Sequence, residues 1–337
     1  MSAAVVDTSG LAQPLTLVFG GCCSNAWSLE QMLTHDARLA SALTLIQMLF
    51  TVLHSLPAVL STTTSTGTFT LKLRPRAVPL REWAAQVVVL TAMSLLNGWV
   101  FLYPVPVTIQ IIFRSAALIV SMVFNFIFND RRYTLLQMVA VSIVSTGIVV
   151  STLAKPGGTG TGSKDASAEE VDTTSYLTGI GLLSLALIMA GVLGILQERT
   201  FAKYGPHWRE GLFYTHVMSA PLIASTPGIG KSIQALRAAD LRTALPVLVL
   251  NVLTQSVCVA GVNQLMSRVS SVSTNIVLTT RKALSLCISV WYFGAGWNAQ
   301  LGLGAGLVGV GTVLYAVSSS APHKDKKAKK QKKVKVE

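Results

Sequence analysis

The chemistry in this sequence is concentrated in a few charges set inside apolar stretches. Arg114 lies in the run TIQIIFRSAALIV, Arg281 and Lys282 lie in STNIVLTTRKALSLCI, and Glu30 ends a run that begins near Leu15. An ionisable side chain at membrane depth costs about 2.5–3.5 kcal/mol on insertion scales, so it persists where it pairs or works. Three cations against one carboxylate leave excess positive charge, and the matching ligand is an anion. Arginine is a planar fork that donates paired hydrogen bonds to the non-bridging oxygens of a phosphate, and lysine adds a mobile point charge. Arg114, Arg281 and Lys282 are therefore the expected phosphate-binding residues, suited to a diphosphate, with Glu30 a partner for one of them when the site is empty. The structural alternative pairs Arg114 with Glu30 and lets Lys282, one position after Arg281 and hence on another helix face, snorkel to the interface.

Uncharged polar groups share the same stretches: Asn25, Asn97, Gln110, Gln197, Tyr214, His216, Asn251, Gln255, Asn263, Gln264 and Asn275. Any one of them can serve as an interhelical hydrogen bond worth about 0.6 kcal/mol. Together they are too many for that role alone. Amides suit a nucleobase edge and sugar hydroxyls, and aromatics such as Trp27, Trp99, Tyr103, Phe213 and Tyr214 offer faces for a base to stack on. Base and sugar contacts are expected from Glu30, Asn25, Asn97, Gln110, Tyr214, His216, Asn251 and Gln255. Trp83, Trp208 and Trp297 read as interfacial anchors. There is no GxSxG, HExxH, Walker A or Asp-rich diphosphate motif, and the five histidines are scattered. No catalytic residue, metal ligand or cofactor is expected, and the chain reads as a protein other than an enzyme.

The elements that must hold these residues follow from composition. Of 337 residues 51% are hydrophobic and 12% charged, about half the roughly 25% charge of soluble domains. Mean hydropathy is +0.56. This excludes an ordinary soluble enzyme and implies a polytopic membrane protein. Stretches long enough to cross a bilayer core of about 30 Å fall near 14–33, 40–60, 83–103, 107–129, 134–154, 177–196, 212–228, 243–266, 272–293 and 299–318. The longer connections are a Thr/Ser-rich and then basic loop at 61–82, a Gly/Ser/acidic loop at 155–175, and the segment 229–242. Cys22, Cys23, Cys258 and Cys287 fall inside apolar runs with no CxxC spacing and are expected as free thiols.

The net charge of +13 would suggest nucleic acid in a soluble protein. Here it is largely a tail effect, with eight lysines between Lys324 and Lys335, and no nucleic-acid partner is expected. With ten spans, one side carries Lys72, Arg74, Arg76, Arg81, Arg131, Arg132, Arg199, Lys203, Arg209 and Arg268 as well as the tail lysines. The other carries Arg38, Lys155, Lys164, Lys231, Arg237 and Arg242. The excess of Lys and Arg places both termini in the cytosol.

Internal repetition sharpens the architecture. Thr108 to Val150 echoes Thr274 to Tyr315, aligning Arg114 with Arg281 at an offset of 167 and Gly147 with Gly311 at 164. Five spans separate the copies, and an odd number inverts the second half in the membrane. The expected fold class is an all-α membrane protein, ten transmembrane helices forming two inverted five-helix repeats around a central cavity. Its parts are a cytosolic N-terminus at 1–13, a first repeat at 14–154, a lumenal linker at 155–176, a second repeat at 177–318 and a basic cytosolic tail at 319–337.

Four stretches carry a family resemblance: FGGCCSNAWSLE (Phe19 to Glu30), IIFRSAAL (Ile111 to Leu118), QERTFAKYGPHWREGLFYTH (Gln197 to His216) and LTTRKALSLCISVWYF (Leu278 to Phe293). Between about Leu15 and Tyr315 the chain resembles the nucleotide-sugar transporters of the drug/metabolite transporter superfamily, and most resembles the branch that carries UDP-N-acetylglucosamine and UDP-xylose in the endoplasmic reticulum and Golgi. The resemblance implies exchange of cytosolic UDP-N-acetylglucosamine, with UDP-xylose as a second cargo, for lumenal UMP, and phosphate contacts from Arg114, Arg281 and Lys282. The chain departs from that branch at Gly98, where a second Asn often follows the first, and at Gln110, where His is common. Two other readings stand beside it: transport of another phosphorylated nucleotide, such as ATP/ADP or activated sulfate, and a non-transporting membrane scaffold or receptor. Lys333 and Lys335 in the terminal KKVKVE match a KxKxx retrieval signal. The expected partners are therefore a UDP-sugar, UMP, membrane lipids and vesicle-coat proteins that read the tail.

Overall fold

The computed structural model describes residues 8–35, 39–65, 68–105, 107–153, 173–226, 228–238, 241–292 and 299–320. The chain is a helical membrane protein, with one short β-hairpin among the described residues. The first helical rod comprises α1 (Thr8–Thr16), a π-helical turn (Leu17–Gly21) and α2 (Cys22–His35), with helical dihedrals at both joins. Then follow α3 (Ala40–Val59), strands β1 (Leu60–Ser65) and β2 (Thr68–Leu73), α4 (Leu80–Trp99) extended by a 3-10 turn to Leu102, α5 (Val107–Asn129) and α6 (Leu135–Leu153). The remaining helices are α7 (Thr173–Tyr204), α8 (Trp208–Ala224), α9 (Ile229–Ala238), α10 (Leu241–Met266), α11 (Ser271–Tyr292) and α12 (Ala299–Ser320). Among the described residues, Ser41–Val59, Thr173–Tyr204, Leu245–Met266 and Ala299–Ser319 are long and apolar enough to cross a membrane, and Ala116–Asn129 and Leu135–Ser151 are shorter apolar helices.

Two of the longer connections between the expected spans contain ordered elements. The Thr-rich stretch after α3 pairs antiparallel with its successor, Ser61 opposite Lys72 and Thr63 opposite Thr70, because β-branched threonines fit a pleated ribbon better than a helix. The segment 229–242 contains α9, whose Ala235 and Leu236 pack with Met32, Leu39, Leu43, Val247 and Leu248. Its polar face carries Lys231 and Arg237, which kept it from reading as apolar.

Packing gives the bundle a clear end. The guanidinium of Arg268, just past α10, donates to the Gly10 carbonyl in α1, and that of Arg199 in α7 donates to the Phe128 carbonyl at the end of α5. Tyr204 at the end of α7 donates to Glu82 in the first turn of α4 (3.4 Å). The amino ends of α1, α4, α8 and α11 therefore lie with the carboxyl ends of α5, α7 and α10, and this end carries Arg74, Arg76, Arg81, Arg131, Arg132, Arg199, Lys203, Arg209 and Arg268.

Two expectations are corrected here. Cys22 and Cys258 are joined in a disulfide between α2 and α10, leaving Cys23 and Cys287 as the free thiols. Close backbone approach makes this possible, since Gly21 lies against Val257 and Cys258 while Gly261 lies against Leu17 and Val18. Trp83 is 1% exposed, so it is a core residue and not an interfacial anchor. Its ring packs against Phe201 at 6.2 Å and fills the space that a side chain at Gly211 would need.

The most extensive helix pair is α6 with α12. Glycines set its closeness: Gly147 lies against Gly304 and Val308, and Gly311 against Ala140 and Val144. Small residues let membrane helices approach backbone to backbone, where dispersion and weak hydrogen bonds substitute for a hydrophobic drive that lipid does not supply. Leu118, Met122, Val141, Val144, Val272, Ile276 and Val308 form the apolar core beside this seam.

Candidate functional site

Arg281 sits in the middle of α11, half-buried against the start of α2. Its Nη1 donates a long bond to the Cys22 carbonyl (3.4 Å), and its Nε is buried with no hydrogen-bond partner. Ser285, one turn on, donates to Cys23 Sγ (3.3 Å). Among the described residues no carboxylate pairs with Arg281. A guanidinium carries five donors and does not deprotonate in proteins, so this one keeps unused donor capacity inside an apolar bundle. Lys282 is exposed, about 100° around the helix from Arg281, as one residue's rotation requires. Arg114 lies in α5, and its side chain is outside the described residues, as are Lys333 and Lys335 of the tail.

A mostly apolar cavity of about 210 Å³ lies toward the basic end of the bundle, lined by Met93 of α4, Ala117 of α5, Leu193, Gln197 and Glu198 of α7, and Ser271, Thr274, Asn275 and Leu278 of α11; Arg281, one turn beyond Leu278, does not line it. Thr274, Leu278 and Arg281 share one face of α11 by their spacing of four and three. A cavity of this size is smaller than the roughly 300–1,000 Å³ of sites that hold drug-sized ligands, so a nucleotide would require it to widen.

Sequence reading missed the polar tie between two residues that line this cavity, Glu198 and Ser271. Glu198 Oε1 pairs with Arg131 Nη2 at 2.8 Å, while its Oε2 accepts from the Ser271 backbone N–H (3.0 Å) and hydroxyl (2.9 Å). Asn125 donates to the same hydroxyl (2.7 Å), and Asn275 donates to Ser121 (3.1 Å). One carboxylate thus ties α7, the α5–α6 connection and α11 together.

The other candidates divide by what they touch. Asn25 and Asn251 come together: Asn25 Nδ2 donates to the Asn251 carbonyl (2.9 Å), Asn251 Nδ2 donates to Ser28 Oγ (3.0 Å), and Gln47 donates to Asn251 Oδ1 (2.5 Å). This buried network joins α2, α3 and α10. Gln110 is buried and donates to the Val105 carbonyl (3.3 Å), and half-buried Asn97 donates to Met93 within α4 (2.8 Å). Tyr214 belongs to the aromatic cluster around Trp83 and Phe201, and His216 Nδ1 lies 2.8 Å from the Leu212 carbonyl. Glu30 and Gln255 are half-buried on α2 and α10. Asn251→Leu is expected to strand the Gln47 amide, at about 1–3 kcal/mol for a buried unsatisfied group, while the Ser28 hydroxyl keeps its bond to the Asn25 carbonyl (3.0 Å). Thermal unfolding of the detergent-solubilised protein checks this; an unchanged melting temperature would show that the network does not hold the helices.

A bundle of long apolar helices that holds a half-buried guanidinium, with no carboxylate partner among the described residues, defines an integral membrane protein. The chain belongs to the UAA transporter family, whose model matches residues 11–319, and it is a nucleotide-sugar transporter. It is 30% identical to the UDP-N-acetylglucosamine transporter YEA4 of Saccharomyces cerevisiae, over 92% of this chain and 95% of that one. It is 30% identical to the UDP-xylose and UDP-N-acetylglucosamine transporter of Danio rerio (91% and 94%) and 31% identical to the endoplasmic reticulum GDP-fucose transporter of Drosophila melanogaster (90% and 89%).

Proposed function

We propose that this protein exchanges cytosolic UDP-N-acetylglucosamine for lumenal UMP by alternating access, with UDP-xylose as a second cargo, in the endoplasmic reticulum or Golgi membrane. The observation that carries the reading is Arg281, a half-buried guanidinium in the middle of a membrane helix whose buried Nε has no hydrogen-bond partner among the described residues. Phosphate oxygens complete it, and Arg114 and Lys282 supply the remaining charge. An unpaired cation is costly to carry through the membrane, and both UDP-sugar and UMP bring the phosphate that offsets it. Exchange follows, because the empty site reorients slowly. The names of the yeast and zebrafish relatives favour a UDP-sugar. The GDP-fucose transporter among the relatives favours a second reading in which the same phosphate site accepts GDP-fucose.

The proposed architecture is ten spans in two inverted five-helix repeats, with α1 and α2 as one span, α9 between spans, and both termini cytosolic. Reciprocal contacts support it. At an offset of 164, Gly147 corresponds to Gly311 and Ala140 to Gly304; Gly147 lies against Gly304, and Gly311 lies against Ala140, as a pseudo-two-fold axis requires. The basic end supports a cytosolic assignment, which makes the Arg131–Glu198–Ser271 contact the cytosolic closure.

Purified protein in liposomes tests this. Uptake of radiolabelled UDP-N-acetylglucosamine is expected to depend on internal UMP, and equal uptake into empty vesicles would overturn exchange. Competition by unlabelled UDP-xylose and GDP-fucose orders the cargoes.

A further inference from the structure

A second group of cations converges at the basic end, outside the bundle interior. A crevice of about 350 Å³ lies between the end of α3, the segment Arg74–Ala77 and the start of α8, lined by Arg74, Arg76, His207 and Arg209. Its carboxylate, Glu210, is already engaged, with Oε2 accepting from the Ala77 N–H (3.0 Å) and Oε1 from the Val78 N–H (3.2 Å). None of the three arginines has an ion-pair partner among the described residues. The three side chains are exposed, and the backbone that carries Arg74 and Arg76 is held in place. The segment is pinned at one end by the Arg74 N–H on the Val59 carbonyl (2.8 Å) and at the other by Glu210. The Arg209 guanidinium lies over the Trp208 ring, 5.1 Å from its centre.

Three permanent positive charges around one crevice favour an anion there, and guanidinium forks suit the several oxygens of a phosphate. Arg74 and Arg76 flank Pro75 on a non-helical segment, and both line the crevice. We propose that this crevice is a second anion site, separate from Arg281, that binds a doubly charged phosphate group at the membrane surface. Either of two sources presents that chemistry: the headgroup of a phosphorylated inositol lipid in the adjoining leaflet, or the phosphate of a soluble nucleotide. The site stands whatever sugar the protein carries.

The test uses full-length protein with Arg281→Ala, so that the interior guanidinium contributes nothing, in a neutral detergent. It is titrated with inorganic pyrophosphate and with water-soluble dioctanoyl phosphatidylinositol 4-phosphate, reading intrinsic tryptophan fluorescence and melting temperature. At least one probe is expected to bind saturably. R74Q/R76Q/R209Q should weaken it at least about tenfold, while R132Q/K203Q, which removes charge elsewhere at the same end, leaves it within about twofold. R74K/R76K/R209K keeps the charge and should bind better than the glutamine variant, which separates lost charge from lost folding. Binding of the lipid alone assigns the crevice to a headgroup, and binding of pyrophosphate assigns it to soluble phosphate. No saturable binding of either probe, or equal weakening in R132Q/K203Q, overturns the proposal.

Discussion

Arg281→Ala is expected to abolish UDP-sugar uptake while leaving the protein folded. Truncating one partner of a buried, hydrogen-bonded charge pair costs about 2–5 kcal/mol, and each 1.4 kcal/mol is tenfold, so transport falls at least about 30-fold. Stability moves the other way or not at all. Without substrate the guanidinium is desolvated, its Nε has no partner and its Nη1 bond is long; removing such a charge relieves a penalty. Uptake in proteoliposomes and melting temperature, measured on the same preparation, separate these effects. Retained uptake would place the phosphate site elsewhere, and a collapsed melting temperature would make Arg281 a structural residue. Arg281→Lys keeps the charge but loses the fork, and should recover only part of the uptake.

Gly304→Leu is expected to be the most disruptive single change for folding. A Cβ at this position would meet the Ser151 backbone nitrogen and hydroxyl and lie 2.8 Å from the Gly147 carbonyl. Two of these obstacles are backbone atoms, so no rotamer change relieves the clash and α6 must separate from α12. Overpacking typically costs about 1–3 kcal/mol; forced separation of the largest helix seam belongs at or above the top of that range. Gly306→Leu is the control, because nothing lies within 4 Å of a Cβ there. The recovery of monodisperse protein and its melting temperature should drop for the first and hold for the second. Equal behaviour would show that α6 and α12 are not held by their glycines.

Long helices were legible because apolar runs report themselves residue by residue: α5 spans the stretch 107–129 that hydropathy marks. Arg281 was legible for the complementary reason, as a charge inside such a run. Glu198 was not, since a carboxylate at the end of a long helix is ordinary until its partners Arg131 and Ser271 arrive from other elements. Gln47 and Ser28 were hidden similarly, because small polar residues in membrane helices are commonly satisfied by their own backbone, as Thr51 is by the Gln47 carbonyl (2.8 Å). The burial of Trp83 depends on the absence of a side chain at Gly211, a fact about two helices that neither local sequence contains. The Cys22–Cys258 bond likewise required knowing that α2 and α10 touch.

That bond has a kinematic consequence. The rod formed by α1, the π turn and α2 is closely packed on α10 through Gly21 and Gly261, and the disulfide joins them covalently. A covalent link cannot lengthen, so α2 and α10 are expected to move as one body in any rearrangement of the bundle. At the basic end, by contrast, α7 and α11 meet through Glu198 on Ser271 and the packing of Gly194 against Ser271, ties that can part without breaking a covalent bond.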